Sequence, residues 1–235
     1  MERERNAWLL ASESERQEME ALGREYIKFL NRAKTERETV SYLKEKLQKK
    51  NFVDLKDLNE LRPGQRVFID HKGKAAVAAV IGERPFIEGF NIVASHTDTP
   101  RLDLKPVPLY EDAGAALFKT HYYGGIKKYQ WTALPLSMHG IVVKKSGEKI
   151  EINIGEDEDD PVFTITDLLI HLAKDQMEKK MSEGITGEDL NILVGSLPLE
   201  SGPEKDKIKA AIRKVLQERY NIEDDDFSSA EIQMV

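Results

Sequence analysis

Two side chains, His96 and Asp98, offer the most useful chemistry in the chain. A neutral imidazole can bind Zn²⁺ or a similar borderline metal. A carboxylate two residues on can accept the hydrogen bond of the other ring nitrogen and fix the tautomer, as supporting carboxylates do in metal sites. The spacing alone is a weak signal, and a purely structural pair is the commoner meaning of His-x-Asp after a strand. His171 is the second candidate, with Asp167 and Asp175 four residues to either side on one helical face. From the residues alone it reads as a surface histidine between two acids. His71 falls in a tight turn and reads as structural, and His121 and His139 stay structural by default. With no cysteine in the chain, any metal must be held by His, Asp or Glu. The five acids of 156–160 before Pro161 read as an acidic surface loop rather than a ligand cluster.

These residues need elements to hold them. The apolar run Phe90–Ala94 predicts a short buried strand that stops at Ser95, and Pro100 forbids its regular continuation. His96 would then sit just past a strand end, where open α/β sheets place their ligands. Upstream, Ser12 with Glu15 and Thr35 with Glu38 are capping boxes. They predict a helix over 12–32, with Met19, Leu22, Tyr26, Ile27 and Leu30 on one face, and a second helix to about Lys50. Leu61 to Gly64 is a turn, and Arg66–Asp70 and Ala75–Ile81 form a hairpin closed around Gly73. This hairpin and the Phe90 strand would start a mixed sheet covered by the two helices.

Beyond Pro106 the prolines and the small residues of 113–116 suggest a domain boundary. Strands are expected at 134–138, 140–143, 149–153 and 190–194, with a helix from Asp167 to about Met181. Ser201, Pro203 and Glu204 predict the start of another helix, ending near Tyr220 and Asn221, with Ile208, Ala211, Ile212, Val215 and Leu216 inward. Arg101 and Asp103 alternate with Leu102 and Leu104 as the wet face of a strand would. Helices mixed with strands give an α/β fold followed by a compact α+β module.

Composition narrows the classes. At 40% hydrophobic and 33% charged, the chain has the make-up of a soluble globular protein. A net charge of −7 argues against nonspecific nucleic-acid binding. No apolar stretch approaches the roughly 20 residues of a membrane span, and the charged N-terminus is unlike a signal peptide. A cytoplasmic location is expected.

The longer string His96-Thr97-Asp98-Thr99-Pro100, followed by Leu102, Leu104, Lys105 and Pro106, resembles the aspartyl aminopeptidase and vacuolar aminopeptidase I family of co-catalytic metallopeptidases. Tyr123-Gly124-Gly125 with Trp131, Gly140 with its apolar run, and the stretch 167–172 match in the family's order, so the resemblance covers nearly the whole chain. It implies the first part of an α/β/α zinc-peptidase-like catalytic domain at 1–106 and an inserted α+β oligomerisation and substrate-gating domain at 107–235. The implied activity is metal-dependent removal of N-terminal amino acids from peptides. By resemblance, His96 ligates one of two metals, Zn or another divalent ion such as Co or Mn, and Asp98 orients that ligand. His171 reaches a neighbouring subunit's substrate site within a homo-oligomer, a dodecamer in the family. Where the chain has Arg101, the family often has a small or apolar residue, so substrate preference does not carry over.

Such an enzyme also needs a bridging carboxylate, an adjacent Glu-Glu pair, a further acid and a final His. No Glu-Glu pair occurs in the sequence. The chain therefore reads as a front half, either truncated or completed by a second polypeptide, and is expected to be inactive alone. Two other readings stay open: a non-catalytic oligomerisation or regulatory subunit derived from such an enzyme, and a metal-free peptide-binding module.

Overall fold

A computed structural model describes residues 6–201, 203 and 205–235. The chain forms two compact units, one ending at Asp98 and the other running from Thr99 to Val235.

In the first unit, α1 (Ala7–Leu10), α2 (Glu13–Arg32) and α3 (Glu36–Lys49) precede a three-stranded sheet. Its strands are β1 (Val53–Asp54), β2 (Arg66–His71) and β3 (Ala75–Val80), in that order across the sheet. β1 runs parallel to β2, and β3 antiparallel to it. Both capping boxes form: Ser12 and Thr35 accept from the amides three residues on, and Glu15 and Glu38 return the bond. Each box satisfies two amides that the first helical turn would otherwise leave unpaired. The rings of Phe29 and Tyr42, 5.1 Å apart, join α2 to α3. In the hairpin turn, Lys72 and Gly73 both take positive φ, and Asp70 accepts from the Gly73 amide at 2.7 Å.

Two expectations fail in this unit. The apolar face of α2 is not covered: Leu22, Tyr26, Ile27 and Leu30 are all exposed. Nor is Phe90–Ala94 a strand. It is irregular, with Phe90 65%, Ile92 72% and Val93 fully exposed. Among the described residues no strand pairs with it, and an extended backbone without a partner has no ladder to hold it.

The second unit is a six-stranded sheet in the order β7-β6-β9-β4-β5-β8. Its strands are β4 (Arg101–Asp112), β5 (Ala115–Tyr123), β6 (Met138–Val143), β7 (Lys149–Ile154), β8 (Ile192–Gly195) and β9 (Ala230–Met234). β4 runs through Pro106 and Pro108, and its pairing with β5 breaks register between Leu104 and Leu109. A proline cannot donate to a ladder, so the break falls where the prolines stand. β9, last in sequence, lies between β6 and β4. β6 approaches it so closely that a Cβ on Gly140 would stand 2.0 Å from the Glu231 carbonyl oxygen. Leu102, Phe118, Val142, Leu190, Ile192 and Met234 form the heart of this unit's core.

The helix expected from Asp167 to Met181 is mostly absent. Residues 166–173 are turn and irregular chain, followed only by α4 (Lys174–Met177) and α5 (Met181–Gly184). Asp167 accepts from the Leu168 amide at 2.8 Å and from Gln176 Nε2 at 3.0 Å, local bonds that compete with a helix. Leu168, Leu169, Ile170 and Leu172 are exposed, so no buried face drives helix formation.

The last helix, α6 (Lys207–Tyr220), starts later than the Ser201 signature predicts. Ser201 and Pro203 lie outside it, and Glu204 lies outside the described residues. The cap comes from a distant strand: Glu111 of β4 accepts from the amides of Ile208 and Lys209 at 2.9 and 2.8 Å. Ile208 and Leu216 face inward as expected, while Val215 is exposed.

Candidate metal centre

His96 lies in the irregular segment that follows the Phe90 run, and its side chain is 81% exposed. Its Nδ1 is 2.7 Å from the backbone oxygen of Asp98 and 3.4 Å from that residue's carboxylate. A carbonyl oxygen only accepts, so Nδ1 is the donor in this contact, and in a neutral ring Nε2 would carry the lone pair. That is the tautomer a metal-binding histidine needs, since the second nitrogen is fixed by an oxygen of its own chain. The Thr97 hydroxyl donates to the carbonyl of Lys74 at 3.2 Å, tying the segment to the start of β3. His96 and Asp98 are thus brought together, with the backbone oxygen of Asp98 making the short contact.

One imidazole is not a zinc site. Structural and catalytic zinc centres use three or four protein ligands, and among the described residues no group of three or more His, Asp or Glu is placed to hold a metal. The donor set fits one ligand position, not a whole centre. His171 belongs to the other unit, in the exposed turn after Asp167. The Asp167 carboxyl, four positions earlier, is held below its ordinary value, first by the hydrogen bond from Gln176 and further by those from Leu168 and Thr132, against partial burial.

The remaining histidines are placed as structural residues. His71 ends β2 beside the hairpin turn and is exposed. His121 is exposed on β5, its ring 5.8 Å from that of Tyr122. His139 is buried in β6, its Nε2 3.0 Å from both Ser137 Oγ and the Glu156 carboxylate. Glu156 therefore ties the acidic loop to the sheet, a contact between positions 17 apart that no local spacing announces. Asp160 closes the same loop by accepting from the Gly155 amide at 2.8 Å.

Arg101 corrects another expectation. It is only 7% exposed, not on a wet face. Its Nε donates to Asp103 at 2.9 Å, and its guanidinium lies 4.0 Å from the ring centre of Tyr123, its register partner on β5. Alternation along β4 does place Arg101 and Asp103 on one face; the covering aromatic comes from another strand.

An exposed histidine tethered to Asp98, on a mixed α/β fold, is the candidate metal position. Comparison with known proteins then gives the family. Residues 29–235 match the Peptidase M18 family, described as aminopeptidase I zinc metalloprotease. The chain is 46% identical to a probable M18 family aminopeptidase 1 of Clostridium acetobutylicum, over 98% of this chain and 50% of that protein. The crystal structure of an M18 aminopeptidase from Thermotoga maritima superposes with a TM-score of 0.92 at 46% identity, over 100% of this chain and 50% of that one. The S. cerevesiae mApe1 dodecamer shares the fold at a TM-score of 0.62 and 19% identity, over 92% of this chain and 48% of that one. The chain belongs to the M18 peptidase family. It spans about half the length of the relatives it matches.

Proposed function

We propose that this chain is the front portion of a zinc-dependent aminopeptidase that removes N-terminal residues from peptides. The observation carrying the proposal is the 2.7 Å contact of His96 Nδ1 with the Asp98 backbone oxygen, which leaves Nε2 as the nitrogen open to a ligand, in a chain matching a zinc peptidase family over residues 29–235. Zinc bound at such a centre would supply Lewis-acid chemistry toward the scissile carbonyl. His96 supplies one ligand, Asp98 holds its ring, and His171 binds substrate in a neighbouring subunit. The other ligands of a two-metal site, and the general base, come from residues outside these 235. Cobalt or manganese in place of zinc is compatible with an imidazole ligand.

The family's inserted oligomerisation domain corresponds to 107–235 in this reading, and homo-oligomer formation is supported by the dodecameric state of the yeast mApe1 structure. Among the described residues no helix is long and apolar enough to cross a membrane; we place the protein in the cytoplasm, in keeping with its lack of cysteine. The chain alone is expected to hydrolyse nothing. A non-catalytic assembly or regulatory subunit is the second reading, favoured by the absence of a ligand cluster among the described residues.

The test is peptide hydrolysis with zinc, by the chain alone and together with the unmatched half of the Thermotoga maritima relative. The enzyme reading predicts release of N-terminal residues only when both are present, and loss of that release in His96→Ala. An inactive pair would leave the assembly reading.

A further inference from the structure

Arg32, Arg62, Arg101 and Arg213 each answer a carboxylate, those of Glu45, Glu60, Asp103 and Asp224. Arg66, the first residue of β2, is held in place without one among the described residues. Its Nη1 donates to the Lys50 carbonyl at 2.9 Å, and its guanidinium stands 5.9 Å from the ring centre of Phe52. The end of α3 sets both contacts. Asn51 takes a left-handed φ of 63°, the Asn51 amide donates to Gln48 and the Phe52 amide to Leu47. That pattern closes a helix and turns the chain out of it, leaving the Lys50 carbonyl as an acceptor for Arg66 and Phe52 against its guanidinium. Asn51, Gln65 and Arg66 line a cleft of about 420 Å³ with Val53, Leu58 and Gly64, a size within the roughly 300–1,000 Å³ of small-molecule sites. Gln65 commits its side-chain oxygen to the Arg62 amide at 2.7 Å, which leaves its amide nitrogen as a second donor. Of the acids nearby in sequence, Asp54 is paired with Lys56 and Glu60 with Arg62.

We propose that this cleft binds a carboxylate carried on a small apolar body, either a free acid or the C-terminus of a peptide. A guanidinium offers five N–H donors in a planar fork that matches the two oxygens of a carboxylate. One is spent on Lys50, so a two-point contact stays available. The carbonyl and the ring hold the fork in one geometry before a ligand arrives, which lowers the ordering cost of binding. Val53 and Leu58 give the apolar contact, and the Gln65 amide gives a neutral donor beside the charge. A helix cap alone would use one N–H and need neither the cleft nor its apolar wall. The site uses neither His96 nor a metal, so it stands apart from the aminopeptidase reading.

The experiment is backbone-amide NMR of the 235-residue protein, titrated separately with N-acetyl-leucine, N-acetyl-leucine amide and an N-acetylated tripeptide ending in leucine. A chelator is present throughout, so no metal can take the carboxylate, and the acetyl group bars removal of an N-terminal residue. Both acids should give saturable shifts at amides of 51–66, and the amide compound none. Arg66→Lys keeps the charge but loses the fork, and should weaken binding about tenfold. Val53→Glu alters a side chain that is already 44% exposed; it should leave the melting temperature unchanged and abolish binding by like-charge repulsion. That variant serves where loss of the Lys50 contact destabilises the Arg66 substitution. Tighter binding of the tripeptide than of N-acetyl-leucine assigns the site to peptide C-termini, and equal binding assigns it to free acids. Equal shifts from the amide compound, binding unchanged in both variants, or no saturable shift at 51–66 overturns the proposal and leaves Arg66 as a cap of α3 alone.

Discussion

Glu111 caps a helix it does not belong to, and removing it should unfold more than a surface substitution would. Its carboxylate accepts from the amides of Ile208 and Lys209, and Asp206, the local cap residue, sits at φ 56° with no side-chain bond to the helix. Loss of a side-chain cap costs about 1 kcal/mol, and up to about 2 where no other group takes over. The negative charge at the positive end of the helix adds about 0.5 kcal/mol. Glu111→Ala should therefore cost about 2 kcal/mol, and Glu111→Gln, which keeps an acceptor, about 0.5–1 kcal/mol. For the roughly 140 residues from Thr99 to Val235, about 2 kcal/mol corresponds to a fall in Tm of about 7 °C. Calorimetry of the three proteins under one buffer measures it. Equal Tm for wild type and Glu111→Ala, or equal losses for Ala and Gln, would refute the capping argument.

Other outcomes follow from the same geometry. Gly140→Ala puts a Cβ 2.0 Å from the Glu231 oxygen and 2.8 Å from Ile232 Cα; it should cost about 3 kcal/mol or more, read as a lower urea midpoint at unchanged m. Asp160 is held below the ordinary carboxylate range, first by the Gly155 amide and then by that of Asp157. A carboxyl depressed in the folded state stabilises above its unfolded pKa, and that contribution is lost as pH falls through the folded value. The Gly155 and Asp157 amide resonances should therefore titrate at a pH below the usual carboxylate range, and Asp160→Asn should abolish that titration.

Where a signal was local, the sequence carried it through to the structure. Both capping boxes, the Lys72–Gly73 hairpin turn and the contact of His96 with Asp98 depend on residues within four positions of each other. What failed depended on partners elsewhere. The start of α6 is set by Glu111, 97 positions away from Ile208, and overrides the nearer Ser201 signature. The burial of Arg101 comes from Tyr123 across the ladder. The Phe90–Ala94 run and the stretch 167–172 have apolar patterns suited to burial, but among the described residues nothing covers them, and pattern alone does not make a strand or helix without a surface to pack on.

The central claim, that His96 belongs to a two-zinc aminopeptidase of which this chain is the front portion, is tested most directly by native mass spectrometry of the protein purified from its own source. The account predicts an assembly in which each copy of this sequence is accompanied by the other half of the M18 length and about two zinc ions, with zinc reduced in His96→Ala. A metal-free assembly of this chain alone would contradict it and leave His96 without a metal.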